Sequence, residues 1–94
     1  MTNVKKRNGE IQPFEAEKIR NSIRKAAIDA GLSPDKKKKM IEGVAKKAIE
    51  MAKQRDQIET RALRDTILAE LEKTEAPLAE AWRRFDNKYK AKSQ

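Results

Sequence analysis

Cysteine and histidine are both missing from this chain. Their absence excludes disulfides, cysteine-ligated zinc, cysteine nucleophiles and imidazole acid–base chemistry. Glycine is scarce: Gly9, Gly31 and Gly43 are the three, too far apart for a Walker or dinucleotide phosphate loop. Aromatics are limited to Phe14, Trp82, Phe85 and Tyr89, and no aromatic-lined basic groove is evident. No apolar run approaches the roughly 18 residues of a membrane span, and no signal segment opens the chain. A soluble, cytoplasmic protein is expected. No Ser–Lys or Ser–His–Asp arrangement suggests a nucleophile, and paired carboxylates such as Glu15 and Glu17 fall on helix surfaces, so catalysis is not expected.

What the chain has in abundance is charge. Of its 94 residues, 40% are Asp, Glu, Lys or Arg, and 23 Lys and Arg against 15 Asp and Glu leave a net +8. An anionic partner fits that balance, either a nucleotide or a nucleic acid, although solubility alone also favours net charge. The Lys/Glu-rich composition would also suit a thermophile. The length allows one domain, 1–94, that buries roughly 60–70% of its unfolded surface around a modest core.

Met1 to Asn3 reads as a loose end. Val4–Arg7 and Glu10–Gln12 read as two arms of a β-hairpin over about 4–12, joined at Asn8-Gly9, where a type I′ turn asks for two positive φ angles. Pro13 stops the second arm. A first helix follows over about 16–30, with Ile19, Ile23, Ala26, Ala27 and Ala30 on one face, Glu15 at its N-cap and Gly31 at C′. Ser33-Pro34-Asp35 predicts the start of a second helix over 34–53, whose stripe is Met40, Ile41, Val44, Ala45, Ala48, Met51 and Ala52. The Lys36–Lys39 run in its first turns serves solvation or a ligand. Gln54–Glu59, with Ile58 its one apolar residue, offers a short strand beside the hairpin. Thr60 caps a third helix over 61–73 with Leu63, Ile67, Leu68 and Leu71. Pro77 opens a fourth over 77–90 with Leu78, Trp82, Phe85 and Tyr89 in helical register. Trp82 and Tyr89 read as core, with ligand stacking the alternative. The count predicts a mainly helical α+β fold, a small bundle of four helices with a sheet over one end or side.

The corner that holds chemistry is Val4 to Ile23. Lys5, Lys6 and Arg7 precede the turn and Lys18 lies on the first turn of the helix, so four cations converge beside a helix N-terminus. Side chains alternate along a strand, so Val4 and Lys6 share one face and Lys5 and Arg7 the other. Because the turn lets Arg7 swing, Lys6, Arg7 and Lys18 are the expected phosphate contacts. Gln12 and Glu15 lie near enough to read sugar hydroxyls or a base amino group. The alternative is an exposed basic hairpin.

Val4-Lys5-Lys6-Arg7-Asn8-Gly9 followed by Pro13-Phe14-Glu15-Ala16-Glu17-Lys18-Ile19 resembles the opening of the ATP-cone, the small regulatory nucleotide-binding domain of ribonucleotide reductases and of the repressor of their genes. Ile58 to Ile67 looks like the family's second segment, and Leu78 to Tyr89 sits where the family has its aromatic-rich last helix. Asn8 stands for the usual Asp, and Asp86 stands where the family carries a cation. The resemblance implies four helices covered by a three-stranded mixed sheet. It implies nucleotide contacts from Val4, Lys6, Arg7, Gln12, Glu15, Lys18 and Ile19, joined by Thr60 and Arg64, with Lys88 or Lys90 a further basic candidate. ATP or dATP, with Mg2+, is the implied ligand, and occupancy is expected to act through a protein partner or self-association. The zinc-ribbon repressor architecture is not expected without cysteine, and the 94 residues hold no catalytic machinery to regulate. Two other functions remain open: a small basic nucleic-acid-binding protein, and a cone that has lost its ligand and serves only as an interaction domain.

Overall fold

Three strands of three residues each and four helices make up the chain. They are seen in a computed structural model that describes the backbone of residues 2–92 and the side chains of 2–85 and 87. The order is β1 (Asn3–Lys5), β2 (Ile11–Pro13), α1 (Ala16–Asp29), α2 (Lys38–Lys53), β3 (Gln57–Glu59), α3 (Thr60–Thr74) and α4 (Ala76–Lys92). The architecture is the expected α+β one, a small mixed sheet lying over a helical bundle. Asp86, Lys88, Tyr89 and Lys90, singled out from the sequence, lie outside the described side chains.

The sheet is ordered β2-β1-β3, with β1 antiparallel to β2 and parallel to β3. Val4 pairs with Gln12 on one side and Ile58 on the other, so these three share the face turned to the helices. Lys5, Ile11 and Glu59 form the outward row, and all three are exposed. The hairpin turn differs from the type I′ expectation. No non-glycine residue has positive φ, so Asn8 stays on the ordinary side while Gly9 alone sits at φ 89. Gly9 N–H donates to Lys6 O at 2.9 Å and Lys6 N–H to Glu10 O at 2.7 Å. That is a three-residue loop closed by a glycine bulge, which meets the strand twist with one left-handed residue instead of two. The Asn8 carboxamide oxygen accepts from Glu10 N–H at 3.0 Å. Nor is the N-terminus loose from Thr2 onward. The Thr2 hydroxyl lies 3.0 Å from Ala52 O and 2.9 Å from Arg55 O, which moors β1 to the end of α2.

Helix α1 ends in a Schellman motif. Leu32 N–H reaches Ala27 O at 2.9 Å and Gly31 N–H reaches Ile28 O at 3.0 Å, with Gly31 at φ 78. The next helix starts later than Ser33-Pro34-Asp35 suggests. Residues 34–37 form a turn in which Lys37 N–H donates to Ser33 O at 3.1 Å, and α2 begins only at Lys38. The Lys37 ammonium meets Glu75 Oε2 at 3.4 Å, while Lys36, Lys38 and Lys39 are exposed.

Each helix packs on its neighbours in sequence, and α4 closes back on α1. The core contains Ile23 of α1, Ile41 of α2, Ile67 and Leu71 of α3, and Leu78 and Trp82 of α4, with Ile58 of β3 pressed onto them. Met40 and Met51 are only half-buried, and Ile49 joins the α2 stripe. Between α1 and α2, Arg20 bonds Glu42 at 3.1 Å and Glu17 at 2.8 Å. Those bonds to Glu42 and then Glu17 raise its pKa above the ordinary arginine value.

A Cβ built on Gly31 meets nothing within 4 Å, so Gly31→Ala should cost only the left-handed backbone term. That is about 1–2 kcal/mol of unfolding free energy, measurable by urea denaturation. An unchanged midpoint would contradict the Schellman assignment.

Candidate functional site

Short strands expose their alternation plainly. Val4 and Lys6 follow one another on the helix-facing side of β1 and beyond it, and Gln12 joins them from β2 by register. Pro13 and Phe14 carry the chain from β2 into α1, where Glu15, Lys18, Ile19 and Ser22 recur at i, i+3, i+4 and i+7. In α3 the same spacing aligns Thr60, Leu63, Arg64 and Ile67. Together with Trp82 of α4 these residues line one cavity of about 280 Å3 between the sheet, α1 and α3. Its walls divide by chemistry: Val4, Phe14, Ile19, Leu63, Ile67 and Trp82 are apolar, whereas Lys6, Lys18 and Arg64 bring cations and Gln12, Glu15, Ser22 and Thr60 neutral or acidic polar groups.

The three cations are held differently. Lys6 is half-buried at the hairpin. The Lys18 ammonium is exposed and pairs with Glu15 Oε2 at 2.9 Å, one turn back on the helix. Arg64 is only 9% exposed. Its guanidinium carbon lies 4.8 Å from the Trp82 ring centroid and 4.9 Å from that of Phe85. Such a position suits a weakly hydrated, delocalised cation and would suit an ammonium poorly. The Trp82 indole N–H donates to Arg64 O at 3.2 Å, which fixes the backbone beneath that guanidinium. Trp82 is 1% exposed, so it is a core residue whose ring also contributes to the cavity wall.

Neither hydroxyl in the lining is set up as a nucleophile. Ser22 Oγ donates to Lys18 O at 2.9 Å, and Thr60 Oγ1 to Lys5 O at 3.3 Å. Thr60 was expected to cap α3; the N-cap is Glu59, in extended conformation, and the threonine hydroxyl instead ties α3 to β1. Glu15 does occupy the N-cap of α1, but its carboxylate makes no capping bond and turns to Lys18. Among the described residues no group of three or more acidic side chains is gathered to hold a metal ion. No helix of the described chain is long and apolar enough to cross a membrane.

Of the residues chosen from sequence, Val4, Lys6, Gln12, Glu15, Lys18, Ile19, Thr60 and Arg64 line the cavity together. Arg7 does not. It stands exposed in the hairpin loop, beyond the lining. Pro13, Phe14, Ser22, Leu63, Ile67 and Trp82 are the lining residues sequence reasoning did not select. A signal existed for Ser22, which continues the i, i+4 row from Lys18, and for Leu63 and Ile67, which flank Arg64 on its own face.

The family model described as the ATP cone domain matches residues 2–91 of the 94. No curated protein matches the chain.

Both partners of the Lys18–Glu15 pair are more than half exposed, so the pair should add little to stability. Glu15→Gln should shift the unfolding free energy by less than about 0.5 kcal/mol in urea. A loss several times larger would mean that the pair is structural and Lys18 is not available to a ligand.

Proposed function

The chain belongs to the ATP-cone family of regulatory nucleotide-binding domains, and we propose that its cavity binds ATP or dATP and that occupancy is passed on by contact with another protein or a second copy. The observation that carries this is the convergence of Val4, Lys6, Gln12, Lys18, Thr60 and Arg64 on one cavity. They come from segments some fifty residues apart, and a bare solvated surface gives no reason for them to meet. An apolar wall for a base beside cations for phosphate is the chemistry a nucleotide needs.

In this reading Lys6 and Lys18 hold the phosphates, with Arg7 reaching them from the hairpin loop and Arg64 contributing from the buried side. Val4 and Ile19 flank the base, Gln12 and Glu15 read its amino group or the sugar hydroxyls, and Thr60 lines the seam between β1 and α3. Mg2+ would be carried by the nucleotide, whose triphosphate supplies the hard oxygen donors it prefers. The role in this reading is non-catalytic, in keeping with lining hydroxyls that both donate to backbone carbonyls.

Calorimetric titration with ATP and dATP, with and without magnesium, should give saturable binding. Lys18→Ala and Lys6→Ala should each weaken it by about 1.5–3 kcal/mol, the worth of a charge-assisted hydrogen bond. Absence of heat at millimolar nucleotide would sink the proposal. Sedimentation of the protein with and without ATP should reveal a change in assembly, or in affinity for a partner, if occupancy is transmitted.

A further inference from the structure

Gln12 is the one carboxamide among the described residues of the cavity lining, and its side chain has two unlike ends: Oε1 accepts hydrogen bonds and Nε2 donates them. Which end meets a ligand depends on what holds the other. Here Nε2 donates to Glu10 Oε1 at 3.2 Å. Glu10 lies two residues earlier on the same arm of the hairpin, directly across from Lys6, whose N–H donates to Glu10 O at 2.7 Å. By alternation its side chain shares the helix-facing side with Gln12. Glu10 itself is exposed and outside the cavity lining, so it acts at one remove. Turning the amide over would set Oε1 against a carboxylate, two acceptors with no proton between them. The carboxylate therefore engages Nε2, and Oε1 is the end of the carboxamide left for a ligand.

We propose that Glu10 is a positioning residue that fixes the Gln12 carboxamide so that Oε1 accepts from the 6-amino group of a purine and disfavours a 6-oxo purine. The inference rests on the reading of the cavity as a nucleotide site and adds to it the device that sets base preference. A 6-amino group brings a proton to Oε1. A 6-oxo group brings a second acceptor, and a polar contact left unpaired in a closing site discriminates more strongly than a lost apolar one. Without Glu10 the amide is free to rotate, present Nε2 to the oxo group and lose the preference.

The test compares ATP with ITP, which differ at the purine 6-position and the adjacent ring nitrogen, by calorimetry on the full chain. The wild type should prefer ATP. Glu10→Ala should narrow that preference by about fivefold, the equivalent of one ordinary hydrogen bond, through weaker ATP and stronger ITP binding. Glu10→Ala combined with Gln12→Glu should restore it, because a carboxylate is an acceptor in either orientation and needs no partner to orient it. A merely structural role for Glu10 would lower both affinities together and would not be rescued by the second change. A wild type that binds both nucleotides equally, a Glu10→Ala variant with an unchanged ratio, or a double variant without rescue would each overturn the inference while leaving the nucleotide site standing. A wild type that binds neither would overturn both.

Discussion

Strands of three residues cannot hold themselves together, and that constraint organises the molecule. Each strand contributes one inward side chain at its centre, Val4, Gln12 or Ile58, and of these Ile58 is buried against the helical core. The sheet is therefore fastened at β3, through Ile58 and the direct run from Glu59 into α3, and at the start of β1 by the Thr2 hydroxyl on the end of α2. Between those moorings the β1–β2 side stands over α1 and α3 with less apolar material beneath it. The cavity lies there. Polar residues on the inner face, Lys6 and Gln12, are affordable at that place because they border an opening and not a packed core.

The opposite wall is built on different physics. Arg64 is nearly buried, and the Trp82 and Phe85 rings lie against its guanidinium. The indole N–H of Trp82 fixes its backbone, and the Trp82 and Phe85 rings offer a surface that a planar cation can cover. Because Trp82 belongs to α4, a ligand that draws on Arg64 also acts on the packing of the last helix. Lys18 is the contrasting case, an exposed ammonium borrowed by Glu15 and released at small cost.

Much of this was legible in the residues. Alternation along Val4–Lys6 correctly separated Lys6 from Lys5, and helical spacing alone explains why Lys18 and Ile19, or Thr60 and Arg64, share a wall. The helix ends at Gly31 and the break before Pro77 follow from backbone chemistry that acts locally. What misled was also local. Asn8-Gly9 signals a hairpin but not its loop length, and one left-handed glycine sufficed where two positive φ angles were expected. Ser33-Pro34-Asp35 carries every mark of a helix start, yet residues 34–37 form a separate turn and α2 begins only at Lys38. Thr60, expected as a cap, instead ties α3 to Lys5 O of β1, a partner no window of sequence reveals, and Glu15, at the N-cap of α1, pairs with Lys18 instead of capping. Arg7 and Arg64 were both named from the sequence; that Arg64 is the buried cation of the lining depends on aromatic residues some twenty positions away, which spacing within α3 does not reveal.

The central claim is that a nucleotide occupies the cavity between the sheet, α1 and α3. Amide chemical-shift mapping of the isotope-labelled protein during an ATP titration tests it most directly. The shifts should concentrate in Val4–Lys6, Gln12–Ser22 and Thr60–Ile67, with the Lys36–Lys39 turn silent at the far end of α2, about 20 Å away along a helix of 16 residues. Shifts centred on that lysine turn, or spread evenly over the basic surface, would contradict the account and favour general polyanion binding.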